Sequence, residues 1–265
     1  MPPEIALALG ALQGLTEFLP VSSSGHLAVG AMLFGEPGLS LATIVFLHGA
    51  TLLATLVLFG RDVTGLTAST VRGLRAPRTL LESAEGRTVA GLVVATLPTA
   101  LLGLLLEERV EHLARERWVI GLCFLASAGA ALATRLARGD RTHLSMVGYL
   151  LVGVAQGLAV LPGVSRSGST IAASMLLGMA PAEAFRFSFL LSLPAIGGAL
   201  VLELGGGGSL TSVGASAWIG GAAALVVGYA ALVLLRRVVV GGRFWAFALY
   251  LIPLGTAVLL WDWTT

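Results

Sequence analysis

Apolar residues run through this chain in stretches long enough to cross a bilayer. Runs at about 40–60, 87–106 and 117–136, then at about 184–203, 217–235 and 244–261, each approach the roughly 20 residues that carry a helix across about 30 Å of hydrocarbon. Strand-length alternation is absent, so the spans are predicted to be helical. Two regions break this pattern. Residues 4–18 form an apolar stretch too short to span, ended by Pro20, and residues 24–34 form another after a run of serines. Residues near 150–180 are interrupted in the same way. Short hydrophobic pairs broken by proline and glycine predict a helix that dips into the membrane, turns in a loop and returns.

The two interrupted regions are copies of one another. At an offset of 143 residues, Gly10, Gln13, Gly14, Leu15, Val21, Ser22, Ser24, Gly25, Met32, Leu33 and Gly35 match Gly153, Gln156, Gly157, Leu158, Val164, Ser165, Ser167, Gly168, Met175, Leu176 and Gly178. The chain is therefore read as a single integral membrane domain, 1–265, with one repeat over about 4–136 and a second over about 145–261. Each repeat holds one re-entrant pair and three spans. Because three is odd, the second half must enter from the opposite face, which predicts an all-α polytopic membrane protein with inverted-topology repeats.

Charge placement sets an orientation. All 16 basic side chains are arginine. The connections 61–87, 135–144 and 236–243 carry Arg61, Arg72, Arg75, Arg78, Arg87, Arg135, Arg138, Arg141, Arg236, Arg237 and Arg243. On the other side Arg109, Arg115 and Arg117 are diluted by Glu107, Glu108, Glu111 and Glu116. The arginine-rich face is expected to be cytoplasmic. Both termini and the first re-entrant pair then lie outside, and the segment 61–87 reads as a cytoplasmic loop. A mean hydropathy of +0.92 and 11% charged residues exclude a soluble domain. Cys123 is the one cysteine, which excludes an intramolecular disulfide and a cysteine-based zinc cage. The opening residues, with Glu4 and then Gln13, Thr16 and Glu17, make a poor signal peptide. Gly10 with Gly14 and Gly153 with Gly157 have the GxxxG spacing that lets helix backbones approach closely.

Residues 13–26 read QGLTEFLPVSSSGH and place Glu17, Ser22, Ser23, Ser24 and His26 inside apolar sequence. The copy, SRSGST over 165–170, carries Arg166 where the first has Ser23. Ionisable groups at membrane depth cost about 2.5–3.5 kcal/mol each on insertion scales, so Glu17, His26 and Arg166 need partners or a function. Each loop precedes a short helix, so hydroxyls of Ser22, Ser24, Ser165, Ser167 and Thr170 and free N–H groups are expected to face a shared gap at positive potential. A guanidinium fork beside them suits phosphate oxygens. A carboxylate in such a cradle repels a simple anion; it suits Glu17 holding a divalent cation or taking a proton from a nucleophile. Plainer readings stand beside these: Glu17 pairs with Arg166, the serines cap helices, and His26 packs. Gln13 and Gln156 divide between ligand contact and helix–helix hydrogen bonding, and His48 either lines the cavity or satisfies a neighbour.

On QGLTEFLPVSSSGH and PGVSRSGST the chain resembles the undecaprenyl-diphosphatase family, membrane phosphatases linked to bacitracin resistance, and the likeness extends over its whole length. The resemblance implies hydrolysis of undecaprenyl pyrophosphate to the monophosphate, with recycling of the lipid carrier of cell-wall synthesis on the outer side of the inner membrane. It implies dependence on a divalent cation, Mg²⁺ or Ca²⁺. By position, Glu17, Ser23, His26 and Arg166 are the implied catalytic residues, and Ser165 and Thr170 help bind phosphate. Gln13 stands where the family has Glu or Gln, so Glu17 is the one carboxylate left for a metal. The nucleophile is open among Ser23, His26 and water. A carrier of polyprenyl phosphate or another anion is the alternative that the repeat architecture keeps alive. The expected partners are the polyprenyl pyrophosphate and membrane lipids, without nucleic acid; a homo-oligomer is compatible with the sequence.

Overall fold

The computed structural model describes residues 2–34, 41–75, 81–205 and 214–263. Helix α1 (Pro3–Phe18) opens on a proline, which suits the first turn because its missing N–H is needed by no carbonyl there. It ends at Leu19, whose backbone is extended, since a residue before proline is pushed out of the helical region. Ser22 follows at φ 68, a left-handed conformation uncommon for a residue with a side chain. Its hydroxyl accepts the Gly25 N–H at 3.3 Å and caps α2 (Ser23–Phe34). The second pair repeats the device. After α7 (Met146–Leu158) the chain turns through Pro162 and Gly163, and Ser165 accepts the Gly168 N–H at 3.1 Å to cap α8 (Arg166–Leu176). Ser22 with Ser24 and Ser165 with Ser167 place their hydroxyls 3.3 Å apart in both copies.

The remaining helices are α3 (Leu41–Leu58), α4 (Gly60–Arg75), α5 (Ala84–Leu113), α6 (Arg117–Ala133), α9 (Pro181–Gly205), α10 (Ala215–Val240) and α11 (Ala248–Trp263). Five stretches, 84–106, 117–136, 181–201, 215–240 and 244–261, are long and apolar enough to span; α3 and α4 together would add a sixth only if the pair, bent by 83°, were one broken span. Among the described residues there is no strand; a single bridge joins Arg141 to Met179. The protein is an all-α polytopic membrane protein.

One expectation is corrected. Much of the segment 61–87 is not a loop: α4 is helical and bends 83° away from α3. Leu66 and Ser69 are buried on it while Arg61, Thr67 and Arg72 are exposed. Its apolar side chains are too few for a span but recur at helical spacing, which gives an amphipathic helix suited to the membrane interface. Arg78, Gly35 and the side chains of Arg75, Glu107, Glu111 and Glu203 lie outside the described residues.

Small residues set the packing. A Cβ on Gly10 would come 2.0 Å from the Gly220 carbonyl oxygen on α10, and one on Gly153 would come 2.1 Å from the Ala95 carbonyl oxygen on α5. Each broken helix pair thus lies backbone to backbone against a long apolar helix, as the GxxxG spacing predicts. Helices α6 and α11 pack on each other, with Arg117 4.5 Å from the Trp261 ring at one end and Arg135 4.9 Å from the Trp245 ring at the other. Such stacked guanidinium–indole pairs suit the two interfaces. Phe18, Phe59, Phe185 and Phe189 form one buried aromatic cluster joining α1, the bend between α3 and α4, and α9.

Candidate active site

The two loops cross. A Cβ on Gly25 would lie 2.8 Å from Gly163, and one on Gly168 would lie 3.3 Å from Pro20. Gly25 and Gly168, like Pro20 and Gly163, are 143 residues apart, so the contact is reciprocal. At Gly25 only glycine lets the two backbones approach this closely, while Gly168 packs on the Pro20 ring. The contact brings two sequence differences between the copies into the centre: Ser23 and Arg166 occupy equivalent positions and converge on Glu17, whose own counterpart is Val160.

Glu17 is buried at the end of α1, 8% exposed. Its Oε1 accepts a hydrogen bond from the Arg166 guanidinium. Its Oε2 accepts the Ser23 hydroxyl at 2.8 Å and the Gln13 amide N–H at 3.1 Å. His48 completes the group from α3: its Nδ1 lies 2.9 Å from the Ile44 carbonyl oxygen, and its Nε2 lies 3.4 Å from Glu17 Oε2 and 3.5 Å from the Gln13 amide nitrogen. A cavity of about 400 Å³ opens beside these groups, within the range of small-molecule sites. Glu17, Ser22, Ser23, Ser24, His48, Ser165 and Arg166 line it, and α3 and α9 wall it with Ile44, Val45, Ala195, Ile196, Ala199 and Leu200. The N-termini of α2 and α8 meet at this cavity, so both helix dipoles favour an anion inside it.

Not every expected residue reaches the cavity. His26 turns away from it: Nδ1 lies 2.7 Å from the Ser22 carbonyl oxygen, Nε2 lies 2.7 Å from the Tyr250 hydroxyl, and the ring stacks on Tyr250 and meets Phe124 edge-on. The imidazole thereby holds the carbonyl of the left-handed Ser22. Ser167 and Thr170 are buried behind the wall; Thr170 donates to the Arg166 carbonyl oxygen at 2.9 Å and shares a hydrogen bond with Ser188. They support the turn that presents Arg166. Gln13 sits behind Glu17. Gln156 lines the cavity and donates to Thr99 at 3.3 Å, bridging α7 and α5.

Two supports were not identified from sequence. Ser127 on α6 accepts the Ser165 N–H at 3.0 Å and donates to the Gly163 carbonyl oxygen at 3.1 Å, fastening the second loop. Tyr250 on α11 fastens the first through His26. Nothing in the local sequence of either marks it, since each acts on a loop far away in the chain. His48 carried a signal, an imidazole within an apolar span.

The donor set near Glu17 fits a divalent cation only in part. Among the described residues no three His, Cys, Asp or Glu side chains gather. Glu17 and His48 are within reach of one ion, and the buried Gln13 Oε1 has no hydrogen-bond partner. These three side chains are the ones that can hold it, leaving Ser23 and Arg166 free for chemistry.

The model of the family described as bacitracin resistance protein BacA matches residues 6–257. A protein of Desulfosudis oleivorans named undecaprenyl-diphosphatase is 43% identical over 276 aligned positions, covering 98% of each chain. Proteins of the same name from Korarchaeum cryptofilum and Treponema denticola are each 36% identical, covering 96% and 97% of this chain and 97% of their own. With near-complete coverage on both sides and a family match over almost the whole helical domain, this chain belongs to the BacA family of undecaprenyl-diphosphatases.

Proposed function

We propose that this protein is a membrane phosphatase that hydrolyses a polyprenyl pyrophosphate, undecaprenyl pyrophosphate in bacteria, to the monophosphate and inorganic phosphate. The observation that carries the reading is the Ser23 hydroxyl donating to a carboxylate oxygen of Glu17 while Arg166 holds the other oxygen, at the wall of a cavity faced by two helix N-termini. A hydroxyl, a base and a fixed cation around an anion site make a phosphoryl-transfer centre.

The pyrophosphate occupies the cavity and the isoprenoid leaves between α3 and α9, whose apolar side chains wall it. Ser23 Oγ attacks the terminal phosphorus as its proton passes to Glu17. The bond from that phosphorus to the bridging oxygen breaks, and the polyprenyl monophosphate departs with the electron pair. Arg166 and the amides of α2 and α8 stabilise the charge on the transferring group. Water then cleaves the phosphoserine to release inorganic phosphate. A divalent cation, when bound, supplies further neutralisation of the pyrophosphate oxygens. His26 positions the loop through Ser22.

The arginine bias places α4 and the 137–145 connection in the cytoplasm. The two repeats then insert from opposite faces, both termini lie outside the inner membrane, and the cavity opens outward. The reciprocal contact of Gly25 with Gly163 and Gly168 with Pro20 supports a two-fold relation between the repeats. A carrier of anions gains nothing from Ser23 and Glu17 so placed, and the family favours the hydrolase.

Ser23→Ala tests the reading. Phosphate release is expected to fall at least about 10³-fold with binding of the pyrophosphate lipid retained, since loss of a nucleophile that acts as part of a unit removes most of the rate. Brief reaction of the unaltered protein with terminally labelled substrate is expected to leave label on Ser23. Label on another residue, or full turnover by Ser23→Ala, would remove the serine from its role.

A further inference from the structure

We infer that the divalent cation of this site is held by one nitrogen and two oxygens, with His48 replacing the carboxylate that position 13 lacks. The inference rests on the metal-assisted phosphatase reading and deepens it. Three side-chain atoms form a small triangle with the Gln13 amide nitrogen at one corner: Glu17 Oε2 to Gln13 Nε2, 3.1 Å; Glu17 Oε2 to His48 Nε2, 3.4 Å; His48 Nε2 to Gln13 Nε2, 3.5 Å. Two ligands about 2.1 Å from one ion stand about 3.0 Å apart at a right angle and about 3.4 Å apart at the tetrahedral angle. The triangle is the size of one face of such a coordination sphere.

Three further features agree. His48 Nδ1 faces the Ile44 carbonyl oxygen at 2.9 Å; donation there fixes the tautomer and leaves the Nε2 lone pair for a metal, the outer-shell arrangement usual for ligating histidines. The Gln13 Oε1 is buried without a hydrogen-bond partner while its nitrogen faces the triangle. Turning the amide about its last torsion brings the oxygen onto the ion. The His48 side chain is 31% exposed and lines the cavity, so an ion reaches it from the substrate side. Arg166 holds Glu17 Oε1 and repels a cation, so the ion binds together with the pyrophosphate whose charge offsets both. An imidazole in the set favours Mn²⁺, Co²⁺ or Zn²⁺ over Ca²⁺, which takes oxygen ligands.

The test is pulsed electron paramagnetic resonance of Mn²⁺ on the purified protein in detergent, with protein in excess of metal. It is run with Mn²⁺ alone and with methylenebisphosphonate, a pyrophosphate mimic that is not hydrolysed. Modulation from an imidazole ¹⁴N is expected, and it should persist in His26→Gln and vanish in His48→Gln. In His48→Gln the Mn²⁺ affinity should fall about tenfold or more. His48→Glu should regain Mn²⁺ without the nitrogen signal, which separates ligand loss from misfolding. Bound Mn²⁺ with no imidazole coupling in either arm, coupling that survives His48→Gln, or no Mn²⁺ binding would each overturn the inference. Phosphate release is assayed on the same samples. Mn²⁺-dependent release without nitrogen coupling overturns the ligand set and leaves the phosphatase standing, whereas coupling without release supports the ligand set and overturns the phosphatase.

Discussion

At the scale of single residues, the site depends on one carboxylate whose two oxygens have different partners. Arg166 takes one and Ser23 the other, so in the proposed mechanism a change at Arg166 acts on the base as well as on the phosphate. Arg166→Lys keeps the charge but loses the planar fork that could hold Glu17 and, in the proposed mechanism, a phosphate oxygen together. Turnover is expected to fall about 10²-fold, the scale of losing one positioned donor; turnover equal to that of the unaltered protein would show that charge alone suffices. One titrating group lies outside the spans. Burial, and then the nearby Arg87, depress the pKa of His143 below the usual imidazole value. The folded form therefore binds a proton there less readily than the unfolded form, and stability is lost as pH falls below about 6.5. Thermal unfolding in detergent should show this loss reduced in His143→Gln; equal loss in both proteins would place the acid sensitivity elsewhere.

What could be read of the site at this scale follows from how far each residue acts along the chain. Glu17, Ser23 and Arg166 stand in two motifs whose residue types are costly in a bilayer, so they were legible. His26 was legible as unusual but not in its position, because the φ of Ser22 and the ring of Tyr250 turn it from the cavity. Ser127 and Tyr250 were illegible: one serine in an apolar span and one tyrosine near a helix start carry no mark of what they fasten. Thr170 and Ser167 belong to a phosphate-like motif, yet their hydroxyls are used up within α8 and against α9.

At the scale of elements, the periodicity of apolar residues gave the spans, and proline gave the breaks of α1 and α7. It failed at α4, where a helix too polar to span looks like a loop unless its periodicity is counted. The glycine spacing carries a prediction. Gly10→Leu or Gly153→Leu must push α1 off α10 or α7 off α5, because a Cβ alone meets backbone at 2.0 or 2.1 Å. Each is expected to cost at least the roughly 1–3 kcal/mol of ordinary overpacking, read as a lower melting temperature. Gly30→Leu, where a Cβ meets nothing within 4 Å, is the control. Melting unchanged in both Gly10→Leu and Gly153→Leu would show that these contacts do not hold the re-entrant pairs.

At the scale of the molecule, one arrangement serves both fold and site. Two copies of a helix–loop–helix meet at their tips, and among the positions where the copies differ are Ser23 against Arg166 and Glu17 against Val160, so that a hydroxyl and a guanidinium face one carboxylate. On the side of α4 the site is backed by the aromatic cluster of Phe18, Phe59, Phe185 and Phe189. Beyond it Arg186 joins α9 to α4, donating to Asp62 at 2.6 Å and to Glu183 at 3.3 Å. The cavity lies toward the other side, between the half of α3 near Ile44 and the half of α9 near Ile196. The proposed orientation gives access from the face opposite the arginine-rich connections.

The most direct measurement is phosphate release from a polyprenyl pyrophosphate by the purified protein, with and without divalent cation, for the unaltered chain, Ser23→Ala, Glu17→Gln and Arg166→Ala. The account predicts cation-dependent release by the unaltered chain and loss of it in all three variants, with the pyrophosphate lipid still bound by Ser23→Ala. Release that persists in Ser23→Ala or Glu17→Gln, or none from a folded and lipid-binding unaltered protein, would contradict it.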